Sequence, residues 1–186
     1  MKLRTFLLGA TLASLAGIVL VPSAQSQACR QYGGVVSPTS ETRVYSNQQL
    51  GFSFKLPANY RAMAISRGSI EVLDPNSFEW TQCIIRNREA TELKLSPVAV
   101  HVKPVNSSVR SLEKQIRTQY PWVNAKFSST TVSNQAALTA SYNEILSGEL
   151  ITDVYFLTPD KTHLVRLTGP AQGKLLNLAL SSFAFK

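Results

Sequence analysis

The sequence predicts an α+β domain, a central antiparallel β-sheet covered by helices. Three observations predict it. Apolar and polar residues alternate along LGFSFKLPANY, residues 50–60, so Leu50, Phe52, Phe54 and Leu56 share one face and Gly51, Ser53 and Lys55 the other. That period of two belongs to a half-buried strand. Further strand patterns arrive in runs separated by turn residues, which argues against a string of βαβ units. Only two segments beyond residue 40, one mid-chain and one near the end, carry helical spacing.

Taken in order, residues 31–40 hold Gly33-Gly34, Pro38 and small polar residues, the composition of a linker or loosely held arm. The folded part is expected from near Arg43. Pro57 has no backbone donor and ends the first strand, and Ala58-Asn59 supplies the turn. Residues 60–65 and 69–73 read as strands around a turn at Arg67-Gly68, closed by Asp74-Pro75-Asn76. Cys83-Ile84-Ile85 is apolar enough for a short strand, and residues 86–94 read as a charged loop or helical turn. Val98, Val100 and Val102 alternate with Ala99, His101 and Lys103, a strand with one buried face and one wet or loosely covered face.

Asn106-Ser107-Ser108 offers an N-cap for a helix of about three turns. Val109, Leu112, Ile116 and Tyr120 share its inner face, while Arg110, Lys114 and Arg117 share the outer one. Pro121 ends it. Strands follow at residues 126–132, 137–145 and 150–157, with turns at Ser133-Asn134-Gln135 and Ser147-Gly148. Pro159-Asp160-Lys161 turns into a last strand over 162–168, broken by Gly169-Pro170, and residues 175–180 read as a C-terminal helix.

The first residues carry a different signal. Lys2 and Arg4 precede an apolar run over 6–21, Pro22 breaks it, and the small-residue segment 23–28 follows. This is the order of a secretory signal peptide, cut after Ser26 or Ala28; an uncleaved anchor is the alternative. The expected organisation is therefore a leader at 1–28, a flexible arm at 29–42 and one domain at 43–186. Without Lys2 and Arg4, 17 basic residues stand against 11 acidic ones, a net charge of +6. This excess favours loose attraction to anionic surfaces. There is no basic run of the kind nucleic-acid binding uses, and none is expected.

Cys29 and Cys83 are the two cysteines. Export implies an oxidising compartment, so a Cys29–Cys83 disulfide is the leading reading. Lipidation of Cys29, or two unpaired thiols, remain open alternatives.

Tyr45 before LGFSFKLP, an early pair of strands, a mid-chain helix, a long meander, the hairpin FLTPDKTHLVRLTG and a terminal helix ending in SFAF occur in one order. Together they resemble the PsbP-like family, named for the extrinsic lumenal protein of photosystem II. GFSFKLPANY is similar to that family's N-terminal aromatic-rich strand and proline turn, and SFAF to its final Ser-Phe segment. Tyr60 stands where the family often has Trp. The resemblance runs from Tyr45 to Phe185. It implies an α/β/α sandwich and a non-enzymatic role in docking or assembly, chiefly on photosynthetic membranes. It also implies a place in the periplasm or thylakoid lumen.

Candidate chemistry is sparse. Ser111 and Lys114 fit a Ser-x-x-Lys nucleophile, followed by Ser141-Tyr142-Asn143 and Lys161-Thr162-His163. The intervals are far too short for the two-subdomain fold that uses these motifs, and His163 replaces a needed glycine. No catalytic residue is assigned. His101 and His163 lack three or four convergent ligands, and Asp74, Asp153 and Glu144 have no spacing that would supply them, so neither metal nor cofactor is expected. Glu89 with Glu92, and Glu71 with Asp74, lie in charged or turn segments where both carboxyls stay solvated.

The most plausible functional surface is the stripe Arg110, Lys114 and Arg117, joined by Arg86 and Arg88. It would dock on a protein complex or membrane-associated partner with an acidic face. Trp80, Tyr120 and Trp122 read as core or rim aromatics unless they cluster near an exposed edge. The expected protein is a monomeric exported accessory or binding protein. The alternative is a small-ligand or lipid carrier with a pocket between sheet and helix.

Overall fold

A computed structural model describes residues 29, 33–88, 97–145 and 147–186. The expected leader and the pair Glu89 and Glu92 lie outside the described residues. No helix among the described residues is long and apolar enough to cross a membrane.

Two antiparallel sheets organise the chain. The larger has seven strands: β3 (Arg61–Ser66), β4 (Ser69–Leu73), β5 (Val98–Pro104), β9 (His163–Pro170), β8 (Leu150–Leu157), β7 (Gln135–Asn143) and β6 (Ser128–Val132), in that spatial order. The smaller has β1 (Thr42–Asn47), β2 (Phe52–Pro57) and β10 (Ala184–Phe185), ordered β1-β2-β10. Three helices accompany them: α1 (Pro75–Asn87), α2 (Leu112–Gln119) and α3 (Lys174–Ser182). The architecture is α+β, as the runs of strand patterns predict.

LGFSFKLP therefore does not enter the central sheet. It forms β2, between β1 and β10, and its apolar face turns onto the larger sheet's core. Phe52, Phe54 and Leu56 are buried there with Val98, Val100, Val102, Val154, Phe156, Val165 and Leu167. α3 packs across β2 and β9 and adds Leu176 and Ala179. The terminal SFAF closes this core. Phe183 stacks on Phe52 at 5.1 Å and meets Phe156 edge-on at 5.1 Å. Each such ring buries roughly 150–250 Å², so β2, β8 and the segment after α3 are held together largely by aromatic burial.

The segment over residues 74–88 differs from expectation. Asp74-Pro75-Asn76 closes no hairpin, and Cys83-Ile84-Ile85 is no strand. Asp74 is the N-cap of α1, accepting from the Asn76 and Ser77 amides at 3.1 and 3.4 Å, with Pro75 in the first turn. Burial pulls the Asp74 carboxyl up, but bonds from Ser77, Val36 and Asn76 outweigh it and hold the group below its ordinary range. Thr81 and Ile84, three apart, are the buried face of α1. Arg88 ends it in the left-handed region, at φ 54°.

Two other boundaries shift. α2 begins at Leu112, capped by Ser111, so Val109 and Arg110 precede the helix. Gln115, buried, explains the late start. Its side chain donates to the Asn106 and Val109 carbonyls and accepts from the Asn106 amide, tying the preceding loop into a fixed course. Gly169-Pro170 does not break β9 but completes it, paired with Thr152 and Ile151. A Cβ at Gly169 would lie 2.6 Å from the Pro97 carbonyl, so glycine here serves a close backbone approach.

Cys29 and Cys83 form a disulfide across 54 residues, with Cα atoms 5.7 Å apart. The arm beyond it is hydrogen-bonded to the domain. Tyr60 donates to the Val36 carbonyl at 2.9 Å, Asn59 to the Ser37 carbonyl at 2.9 Å, and Asn76 to the Gly34 carbonyl at 2.9 Å.

Candidate functional site

Alternation places chemistry on the face of the large sheet away from α3. On β8, Val154 and Phe156 enter the aromatic core, so Asp153 and Tyr155 point the other way. On β9 the same parity turns Arg166 and Thr168 to that face, and on β5 it turns His101 and Lys103. The register pairs His101 with Arg166, Arg166 with Tyr155, and Asp153 with Thr168. A polar network results.

Asp153 is fully buried and Arg166 nearly so, their side chains 0% and 12% exposed. Arg166 Nη2 donates to Asp153 Oδ1 at 3.0 Å, and Nε lies 3.0 Å from Oδ2 but outside hydrogen-bond direction. Tyr155 and Tyr142 donate to Oδ2 at 2.7 and 3.1 Å. Burial alone would lower the Arg166 guanidinium, but Asp153 overrides it and holds the charge firmly. Burial, then Asp153, pushes the Tyr155 hydroxyl far up and raises Tyr142 as well.

His101 lies 3.2 Å, through Nδ1, from Ser69 Oγ, which also donates to Glu71 at 3.4 Å. This serine–histidine pair escaped sequence reasoning because its members lie on different strands, 32 residues apart. It is poorly suited to general-base work. Burial, then the Arg166 charge, lowers His101 to about 4, and a base that weak is mismatched to a serine hydroxyl near neutral pH.

The network is roofed on one side by α2, which packs on β8. Ile116, Tyr120, Val123, Ala140, Tyr155 and Leu164 form a second apolar cluster there. Tyr120 lies under two cations: Lys103 Nζ is 4.1 Å from its ring centroid and Arg166 Cζ 5.1 Å. Burial pushes its hydroxyl up to about 12. Trp122, two residues on, is 61% exposed. Its ring meets Tyr120 edge-on at 5.4 Å and 87°, and Lys103 Nζ lies 5.9 Å above it. An exposed indole is thus fixed against a buried ring. The aromatics do cluster, with Tyr120 in the core and Trp122 at the surface.

The predicted cations separate into two groups. Lys114 and Arg117 are exposed on α2, and Arg110 is exposed just before it. Arg117 is ion-paired with Glu113 at 2.8 Å and lies 5.0 Å over the Phe127 ring. Arg86 and Arg88 are exposed on and after α1, which packs on β3 and β4, whereas α2 packs on β8. β5 and β9 lie between those supports. Ser111 and Lys114 are explained without chemistry: the Ser111 hydroxyl caps α2 by accepting the Lys114 amide at 3.2 Å.

Two concavities among the described residues bear on function. A groove of about 460 Å³ between β6–β8 and α3 has a mixed lining, with hydroxyls from Thr130, Thr139 and Thr152 beside apolar Val132, Val154 and Leu176. A larger cleft of about 780 Å³ lies at the end of the sheet, among the β1–β2 turn, the β3–β4 turn, the β8–β9 hairpin and the C-terminus. No group of three or more His, Cys, Asp or Glu among the described residues could hold a metal ion.

The fold has solved neighbours. The chain is similar to the solution structure of cyanobacterial PsbP (CyanoP) from Synechocystis sp. PCC 6803. The identity is 14%, 83% of this chain and 97% of that chain are covered, and the TM-score is 0.48. It is also similar to a crystal structure of a protein from Bacteroides thetaiotaomicron VPI-5482, at 12% identity over 77% of this chain and a TM-score of 0.44; this chain spans 48% of that one. No family model and no curated protein matches the sequence.

Proposed function

We propose that this is a non-enzymatic, exported accessory protein that docks on an acidic face of a protein complex. One observation carries the proposal: Trp122 is exposed yet packed edge-on against the buried Tyr120, with Lys103 Nζ 5.9 Å from its ring centroid. Tryptophan, tyrosine and arginine dominate binding hot spots, where a fixed ring fills a partner's pocket at small entropic cost. Lys114, Arg117 and Lys126 are exposed on the same helix-and-loop segment as Trp122 and add positive charge to it, though Arg117 is paired with Glu113. Charge of this kind speeds encounter with an acidic partner more than it adds affinity. The role agrees with what the family resemblance implies, and a photosynthetic complex is the first partner to test. Arg86 and Arg88 stand apart from this surface and are not assigned to it.

The test is retention of the purified protein by membranes of the source organism across a salt series. Wild-type protein is expected to be retained at low salt and released as salt rises. Trp122→Ala is expected to weaken retention about tenfold or more with the circular dichroism spectrum unchanged. Lys114→Glu with Arg117→Glu should slow association and remove the salt dependence. Equal retention of wild type and Trp122→Ala would rule out this surface.

A further inference from the structure

The seven-stranded sheet ends on β6, which pairs with β7 alone. An edge strand offers unpaired backbone groups to any extended chain, and proteins blunt such edges with charge, proline, a bulge or shortness. The other edges of the two sheets are blunted. β3 begins with the exposed Arg61 and shifts register between Ala64 and Ser66. β1 carries the exposed Arg43, and β10 is two residues long. β6, Ser-Ser-Thr-Thr-Val, has no charge and no proline, and its register is unbroken from Ser128 to Val132. Ser128 to Thr131 are all exposed.

The turn after β6 fixes which of its backbone groups are free. Ser133 and Asn134, at φ 49° and 61°, form a two-residue loop with both residues in the left-handed region, the form that hairpins favour. Val132 and Gln135, flanking the loop, exchange hydrogen bonds, and bonded and non-bonded pairs alternate from there. Thr130 with Ala137 and Ser128 with Thr139 are therefore bonded pairs, while the N–H and C=O groups of Ser129 and Thr131 point away from β7. No hydrogen bond from another described residue reaches that side of β6.

This edge adjoins the exposed indole. Phe127, immediately before β6, meets Tyr155 edge-on at 6.2 Å, Tyr155 meets Tyr120 at 5.5 Å, and Tyr120 meets Trp122 at 5.4 Å. A run of ring contacts thus joins the start of the strand to Trp122. Lys126, exposed and in no ion pair with any described residue, stands between them in the chain.

We propose that β6 receives an extended segment of the docking partner as an additional antiparallel strand, bonded to the backbone of Ser129 and Thr131. This rests on the docking reading and names how the partner binds. In strand addition the main-chain bonds give affinity and the side chains give specificity. The segment is uncharged where it lies against Ser128 to Val132, which offer no counter-charge, and acidic where it passes Lys126. The chain's net positive charge opposes pairing with a second copy and favours such a segment.

The test combines membrane retention, measured as for Trp122→Ala, with amide hydrogen exchange of the retained protein. The Ser129 and Thr131 amides are expected to exchange rapidly in the free protein and to become protected on retention, while the Thr130 amide is protected in both. Thr131→Pro and Ser129→Pro each remove only an outward donor, so both should keep the wild-type melting temperature and weaken retention about tenfold, roughly one hydrogen bond's worth. Thr130→Pro, which breaks the ladder to β7, should lower the melting temperature. Unweakened retention of both outward variants beside a weakened Trp122→Ala would overturn the added strand and leave the docking surface standing; unweakened retention of all three would remove both. Unfolding of both outward variants, unchanged exchange at Ser129 and Thr131, or a concentration-dependent dimer abolished by Thr131→Pro would also overturn the proposal, the last by assigning the edge to a second copy.

Discussion

Asp153→Asn is the sharpest test of the polar face. The wild-type carboxylate accepts from Arg166, Tyr142 and Tyr155 and is wholly buried. The amide keeps the shape but removes the charge, leaving the Arg166 guanidinium uncompensated at 12% exposure. One half of the new group also donates, so it opposes the donors that surround it. Breaking a buried pair by removing one partner costs about 3–5 kcal/mol. That is a large part of the roughly 5–15 kcal/mol by which domains are stable. For a chain of this size the melting temperature should fall by about 10 °C. Urea unfolding followed by tryptophan fluorescence at neutral pH measures the loss, with an unchanged slope showing that the native state stays compact. A second variant separates charge from packing. Asp153→Leu with Arg166→Met removes both charges and should cost less than Asp153→Asn alone, with a remainder of about 1–3 kcal/mol for the two tyrosine donors left without an acceptor. A loss below about 1 kcal/mol in Asp153→Asn, against the magnitude expected of a buried pair, would refute the reasoning.

The His101 environment predicts acid sensitivity. Its folded pKa is lowered to about 4 from an ordinary 6.5, so the unfolded chain binds the extra proton first. The stability this gives is full above pH 6.5 and is lost as pH falls towards 4. The groups facing it are Arg166 on β9, Asp153 on β8, Lys103 on β5, and Ser69 and Glu71 on β4. With part of the ring open to solvent the loss is about 2 kcal/mol, and His101→Gln should flatten the stability curve across that window. Equal slopes in both proteins would contradict it. Replacing Cys29 and Cys83 by serine opens a loop whose ends are 54 residues apart; chain entropy sets about 4 kcal/mol as the upper loss, read by thermal melting with and without reductant. Gly68→Ala forces a Cβ to 2.3 Å from the Val102 carbonyl at φ +81°, and should cost about 2 kcal/mol or more while shifting the amides of the adjacent cleft.

The strands were legible because they alternate cleanly. Val98 to Val102 needed only its period to be placed, whereas residues 150–157 do not alternate and read as a strand from their apolar residues and the turns on either side. α1 was missed although its start signal, Asp74 followed by Pro75, stood in the sequence, because Pro and Asn at the end of a strand also read as a turn. The late start of α2 was hidden in Gln115, whose role depends on the loop carbonyls it meets.

The amino-acid sequence by itself determined the α+β class, the apolar faces of the strands and the pairing partners available to two cysteines, because these depend on local period and on composition. Tertiary structure decided the rest. It set LGFSFKLP in a separate small sheet, where Phe183, 126 or more positions away, completes its packing. It brought Asp153, Arg166, His101 and Ser69 together from four strands, and it left Trp122 exposed while burying Tyr120. Each of these is a contact between residues distant in the chain. Only strand order and register, fixed when the whole core closes, specify such contacts.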